Sequence, residues 1–273
     1  GGNHGGLWDA HLRDPEAMSW WEALFLAVLE GLTEFWPVSS TGHLVLASSY
    51  LGIAKETFVQ DFEIIVQGGA ILAVVVHSFS RLWQPRLYVL VGLAFIPTAI
   101  LGYMLHSYVE AFLDKPLVVA TALIGGGIVL LYMDRWFVRA QKSIEGLSWL
   151  EAMGIGLVQG LSLIPGVSRA AAALLGGQLM GLSRQEAAEF SFLLAVPTLG
   201  AASAYKFLKS PIVWTEDKTA MLLTGMAVAF GVALAAMRFL IAVWMRWGMR
   251  PFGWYRILLG MAVWLLWMLG TSS

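Results

Sequence analysis

Glu30-Gly31-Leu32-Thr33-Glu34-Phe35-Trp36-Pro37-Val38-Ser39-Ser40-Thr41-Gly42-His43 lies in the middle of an apolar stretch that runs from residue 19 to residue 52. A straight lipid-facing helix would not carry two carboxylates, a proline and a histidine at its centre, because charge and broken backbone are costly in hydrocarbon. Broken backbone at membrane depth survives only where protein or a wet cavity surrounds it. The stretch therefore predicts a helix–loop–helix hairpin that enters the membrane and returns on the same side. A second stretch, 151–181, holds Pro165, Gly166 and Arg169 in its middle and reads the same way.

The composition agrees with a membrane setting. Of 273 residues, 58% are hydrophobic and only 13% charged, against roughly a quarter charged in ordinary soluble domains. Mean hydropathy is +0.72. A soluble globule of this length could not hide so much apolar surface, and disorder needs the opposite composition. Long apolar runs favour helices over a barrel of short alternating strands. A net charge of −1 gives no field to draw in nucleic acid, and with no cysteine, disulfides, thiolate metal sites and thiol catalysis are excluded. Residues 1–18, opening Gly1-Gly2-Asn3-His4-Gly5-Gly6, read as a flexible leader with no cleavable signal peptide; 19–273 read as one polytopic domain.

Six further segments approach the ~20 apolar residues that a crossing needs: 62–80, 87–108, 117–134, 187–205, 219–240 and 255–270. If each hairpin returns and each segment crosses, one face collects ten basic residues: Arg81, Arg86, Arg135, Arg139, Lys142, Arg184, Arg238, Arg246, Arg250 and Arg256. The other face collects six. The richer face is expected to be cytoplasmic, with both termini outside. Glu30-Gly31-Leu32-Thr33 with Pro37-Val38-Ser39-Ser40 parallels Gln159-Gly160-Leu161-Ser162 with Pro165-Gly166-Val167-Ser168, and Asp61-Phe62-Glu63 parallels Glu189-Phe190-Ser191. The fold class expected is thus all-α integral membrane: six transmembrane helices plus two re-entrant hairpins from inverted-topology repeats. Such repeats place a binding site near the midplane, where the hairpin tips meet.

Glu30 and Glu34, four apart, share one helix face. Stacked carboxylates inside a membrane need a cation, a proton or an arginine, unless the hairpin mouth is wet and solvates them. A hard divalent cation held with help from substrate phosphates fits the first need. Ser39, Ser40 and Thr41, at a helix start, offer hydroxyls and backbone N–H groups to an anion. Ser40 and His43, three apart, can meet within one turn as nucleophile and base, although serines and glycines also serve merely to let membrane helices approach. Arg169 must pair with something at depth: either phosphate, which suits its planar fork, or Glu30 or Glu34 as a structural ion pair. His77 and His106 read as interfacial, the tryptophans mostly as interface anchors, Gln67 with Gly68 and Gly69 as a helix crossing, and Glu186 and Glu189 as charges at a helix start.

At these residues the chain resembles the undecaprenyl-diphosphate phosphatase family of the bacitracin-resistance type. Residues Glu30 to His43 match its first signature almost throughout, and Pro165-Gly166-Val167-Ser168-Arg169 matches the start of its second. Glu189-Phe190-Ser191-Phe192-Leu193-Leu194-Ala195-Val196-Pro197 and Phe62-Glu63-Ile64-Ile65-Val66-Gln67 are also similar to it. The resemblance implies a multi-pass protein of the bacterial inner membrane, often paired as a dimer, that removes the terminal phosphate of a C55 polyprenyl diphosphate and so regenerates the lipid carrier of cell-wall synthesis. On that reading Arg169 clamps the diphosphate, and Ser39, Thr41 and Ser168 add hydrogen bonds. Glu30 and Glu34 hold Mg²⁺ or Ca²⁺, or one of them serves as acid or base. Ser40 attacks with His43 as base, or an activated water attacks while Ser40 only binds. The prenyl tail lies between helices, in contact with membrane lipid. The chain departs from the family after Arg169, where Ala170-Ala171-Ala172-Ala173 replaces residues that usually include hydroxyls. The competing reading, a transporter or lipid flippase, rests on the inverted repeats alone.

Overall fold

A computed structural model describes residues 18–113 and 116–270. The expectation for 1–17 therefore lies outside the described residues, as do Asp114 and Lys115 and the side chains of His106 and Glu110. Among the described residues there is no named strand; the one extended pairing is a lone parallel bridge between Lys142 and Leu182.

The first hairpin is α1 (Trp20–Thr33) and α2 (Ser40–Tyr50). A span broken at Val66 follows, α3 (Thr57–Ile65) and α4 (Gln67–His77), then α5 (Pro85–Leu113) and α6 (Pro116–Trp136). The second hairpin is α7 (Trp149–Gln159) and α8 (Arg169–Leu179), succeeded by α9 (Arg184–Lys209), α10 (Glu216–Trp247) and α11 (Arg250–Gly270).

Local chemistry sets the helix ends. The Glu22 carboxylate accepts from the Ser19 N–H at 2.7 Å, and Glu151 does the same for Ser148 at 2.8 Å, half of a capping box in each case. Ser168, Ser183 and Thr215 cap α8, α9 and α10 with their hydroxyls. Prolines open α5 and α6, where a missing N–H costs nothing.

Six helices, counting α3–α4 as one, are long and apolar enough to cross a membrane. They fall on the six expected segments, with the first beginning at Thr57 rather than residue 62. Its break is local: the Val66 N–H still bonds the Phe62 carbonyl, while Gly69 N–H bonds Val66. The helices of the two hairpins, 14 residues for α1 and 11 for α2, α7 and α8, fall short of the ~20 residues a crossing needs.

Close helix contacts rest on glycine. A Cβ on Gly31 of α1 would lie 2.7 Å from the Ala229 carbonyl of α10, and one on Gly156 of α7 would overlap the Ala94 carbonyl of α5. Gly69 meets the backbone of Met226 in the same way, which is the crossing expected at Gln67-Gly68-Gly69. Small residues let backbones approach where no hydrophobic effect drives association. The pattern of partners is reciprocal. The first hairpin packs its α1 on α10, the second packs its α7 on α5, α4 lies on α9, and α6 lies along α11.

Charge gathers at the helix ends. Arg81 reaches Glu186 at 2.9 Å, Glu189 at 2.6 Å and Glu145 at 3.8 Å. The Glu186 hydrogen bond holds the Arg81 guanidinium above its usual range. Glu186 and Glu189 are therefore ion-pair partners rather than charges resting only on a helix dipole. Asp134 takes Arg184 at 3.0 Å and the Trp244 indole N–H at 3.1 Å. Trp244 is buried, a core residue among tryptophans read mostly as interface anchors. Elsewhere Asp61, fully buried, pairs with Lys206 at 2.8 Å and accepts from Ser210.

Candidate active site

Pro37 and Pro165 both stand in loops where a short helix has ended and another is about to start. The first loop is forced into an unusual turn: Ser39 has φ +72°, the one non-glycine residue with positive φ among the described residues. Such backbone is strained, and it persists only where its surroundings fix it. Two contacts do so. The Ser39 carbonyl accepts from His43 Nδ1 at 2.8 Å and from the His43 backbone N–H at 3.2 Å, and the Ser39 hydroxyl accepts from Gly42 N–H at 3.4 Å. In the second loop, Gly166 at φ +93° lies against the Val119 backbone, where a Cβ would clash. Only glycine suits both demands there.

The two tips meet at Glu34. Its Oε1 accepts from Arg169 Nη2 at 3.0 Å and Nε at 3.1 Å, and its Oε2 accepts from Ser40 Oγ at 2.5 Å. Arg169 Nη1 also bonds the Ser191 carbonyl at 3.1 Å, and its guanidinium lies 5.8 Å from the Phe35 ring centroid. Ser168 donates to the Trp36 carbonyl across the gap at 3.3 Å. The Glu34 carboxylate, at the end of α1, is thus in direct contact with a hydroxyl and a guanidinium carried by the first residues of α2 and α8, where free N–H groups favour anions.

The individual expectations fare unevenly. Arg169 does pair with Glu34, as one of its readings required. Glu30 and Glu34 are 0% and 4% exposed, so a wet mouth that solvates both carboxylates is not what the fold provides. Among the described residues, neither Glu30 oxygen has a hydrogen-bond partner. Thr41 is exposed, outside the network around Glu34. Ser40 donates to Glu34 and not to His43. The carbonyl of Ser39 can only accept, so His43 carries its proton on Nδ1 when neutral, and Nε2 accepts from the Tyr255 hydroxyl at 2.6 Å. The two rings are stacked, 5.6 Å apart and 8° from parallel. The Ala170–Ala173 run is buried in α8, packed as helix interior.

Two residues of the site gave no signal in the sequence. Tyr255 is one. The other is Arg256, counted by position among the ten basic residues of the face expected to be cytoplasmic. It is 0% exposed, its guanidinium lies between the tips and α6, and the count on that face falls by one. Both sit at the start of a span, where an interfacial aromatic and an anchoring cation are the usual occupants.

Beside the polar centre lies an apolar cavity of about 530 Å³, lined by Leu29, Leu32, Trp36, Phe239 and Phe252 and bounded by His43 and Tyr255. Together the fold and site define a multi-pass helical membrane protein with a buried acid–hydroxyl–guanidinium centre opening beside an apolar chamber.

The chain matches the family described as Bacitracin resistance protein BacA over residues 23–262. It is 42% identical over 254 residues to an undecaprenyl-diphosphatase of Bdellovibrio bacteriovorus, covering 91% of this chain and 96% of the relative. It is 43% identical to one from Flavobacterium johnsoniae, covering 90% and 95%, and 44% identical to undecaprenyl-diphosphatase 2 of Paramagnetospirillum magneticum, covering 90% and 98%. The chain belongs to the BacA family.

Proposed function

We propose that this protein hydrolyses undecaprenyl diphosphate to undecaprenyl phosphate and inorganic phosphate, recycling the lipid carrier of cell-wall synthesis in the bacterial inner membrane. The observation that carries the reading is the contact of Ser40, Glu34 and Arg169 across the two tips. Relatives named as diphosphatases give no support to a transporter or flippase.

The geometry supports the following sequence. The diphosphate displaces part of the Arg169–Glu34 pair, and the Arg169 fork takes up phosphate oxygens. Ser40 Oγ attacks the terminal phosphorus, its proton passes to the Glu34 carboxylate already 2.5 Å away, and the bond from phosphorus to the bridging oxygen breaks. The polyprenyl phosphate leaves, and water then attacks the phosphoserine, freeing phosphate and returning the proton to Ser40. Positioning and charge neutralisation carry the rate, as in phosphoryl transfer generally. Glu34 replaces His43 as the base because Ser40 touches Glu34 and His43 turns its free nitrogen to Tyr255. Here His43 holds the Ser39 turn that presents Ser40.

A divalent cation, Mg²⁺ or Ca²⁺, fits the unpartnered oxygens of Glu30 beside Glu34. Among the described residues no three His, Asp or Glu side chains converge, so substrate phosphates must complete the ligand set. Such an ion supplies charge neutralisation at the phosphates. The apolar cavity suits the first isoprene units. A 55-carbon chain exceeds it, so the remainder lies in lipid.

The short hairpins are re-entrant, dipping in from opposite leaflets. The reciprocal packing of α1 on α10 and α7 on α5 supports inverted repeats. Both termini then lie outside, with 19–273 one unit and a homodimer as its assembly. Phosphate release by the purified protein from a C55 or C15 prenyl diphosphate, with and without chelator, tests the function; no release from either lipid would remove it. Trapping a phosphoserine at Ser40 tests the nucleophile, and undiminished turnover by Ser40→Ala would leave direct attack by water.

A further inference from the structure

Arg256 is a fully buried cation that touches four neutral carbonyls. Its Nη1 donates to the Pro37 carbonyl at 2.9 Å and its Nη2 to the Gly166 carbonyl at 2.9 Å. Its Nη2 also reaches the Ala122 carbonyl at 3.1 Å, and its Nε the Leu123 carbonyl at 3.3 Å. No carboxylate of the described residues lies in ion-pair contact with it. Burying a charge without a counter-charge is expensive, and an apolar side chain of equal volume would pack there at less cost. What an apolar side chain lacks is a rigid fork of five donors.

Pro37 stands three residues before Ser40, and Gly166 stands three residues before Arg169. One planar group therefore fixes the two loops against each other and against α6, at matching positions upstream of the residues that meet at Glu34. The seat is built for it. Gly126 of α6 leaves the space that the guanidinium fills, and a Cβ there would collide with it. Arg256 contacts none of Ser40, Glu34 or Arg169 by hydrogen bond, so it acts through the backbone that carries them.

We propose that Arg256 is a positioning residue: its guanidinium staples the two hairpin tips in the register that brings Ser40 and Arg169 together on Glu34. This rests on the phosphatase reading of the same site. A displacement of reacting groups by about 1 Å costs about a hundredfold in rate, so Arg256→Lys and Arg256→Gln should lower kcat by about that factor while KM changes little. The chain has no cysteine, so spin labels can be placed at Val45→Cys and Ile164→Cys, both exposed, one on each hairpin. Arg256 should give one narrow inter-label distance, and the Lys and Gln variants a broadened one. Millimolar guanidinium should restore part of the turnover of Arg256→Ala, and methylammonium at equal ionic strength should not. Gly126→Ala, which pushes the guanidinium off its seat without removing it, should reproduce the kcat loss if the Arg256 variants do not fold.

Narrow distances together with wild-type kcat in folded Arg256→Gln or Gly126→Ala would overturn the proposal. Failure of the wild type to release phosphate would instead overturn the phosphatase reading, and the distance measurement would still decide whether Arg256 sets the register.

Discussion

Arg169 and Glu30 illustrate two fates of a buried charge. Arg169 is paired with Glu34 and a backbone carbonyl, so its fork is already oriented when phosphate arrives. Arg169→Ala should lower phosphate release by about 10³-fold or more, the scale seen when an arginine is withdrawn from phosphoryl transfer. Turnover of purified protein on a prenyl diphosphate checks this, and wild-type turnover by the variant would end the clamp role. Glu30 is fully buried, more deeply than Arg169, yet among the described residues neither of its oxygens has a donor. Removing an unsatisfied carboxylate relieves a desolvation cost. Glu30→Gln should therefore melt in detergent no lower than wild type, while the dependence of turnover on Mg²⁺ or Ca²⁺ weakens. Unchanged metal dependence would take Glu30 out of the cation site.

The helices divide into those that span and those that serve the tips, and glycine marks where they touch. Gly31→Ala and Gly156→Ala each push a methyl into a facing backbone, and overpacking of this kind costs about 1–3 kcal/mol. Gly92, Gly125 and Gly231 have open space around a Cβ. Alanine there should be neutral or stabilising by about 0.5–1 kcal/mol, since it only removes backbone freedom. Thermal unfolding in one detergent compares the five variants. A loss as large at Gly92 as at Gly156 would mean that close approach of the facing backbone does not set the cost at these positions, since helix propensity alone favours alanine.

The orientation of the whole molecule follows from the basic residues that remain at the proposed cytoplasmic end and from the buried hairpins. In the cysteine-free chain, Ser210→Cys should react with an impermeant maleimide in intact spheroplasts, and Gln141→Cys only after permeabilisation. The reverse pattern would invert the topology.

Most of the architecture was legible from composition and punctuation. Six apolar runs of spanning length, and two interrupted by proline, glycine and charge, follow from the cost of exposing backbone or charge to hydrocarbon. The residues of the centre were legible too, because Glu34, Ser40 and Arg169 are out of place in an apolar stretch. Their wiring was not. Whether Ser40 turns to His43 or Glu34 depends on the strained Ser39 turn. That turn depends on His43 meeting Tyr255, 212 residues further along the chain. Arg256 looked like one more cation at a helix start, since sequence spacing carries no information about which loop carbonyls come to surround it. The chain by itself determined which groups interrupt its apolar stretches; only the packing of α11 and α6 against both tips decided which of them touch, because hydrogen-bond partners are chosen by distance in space.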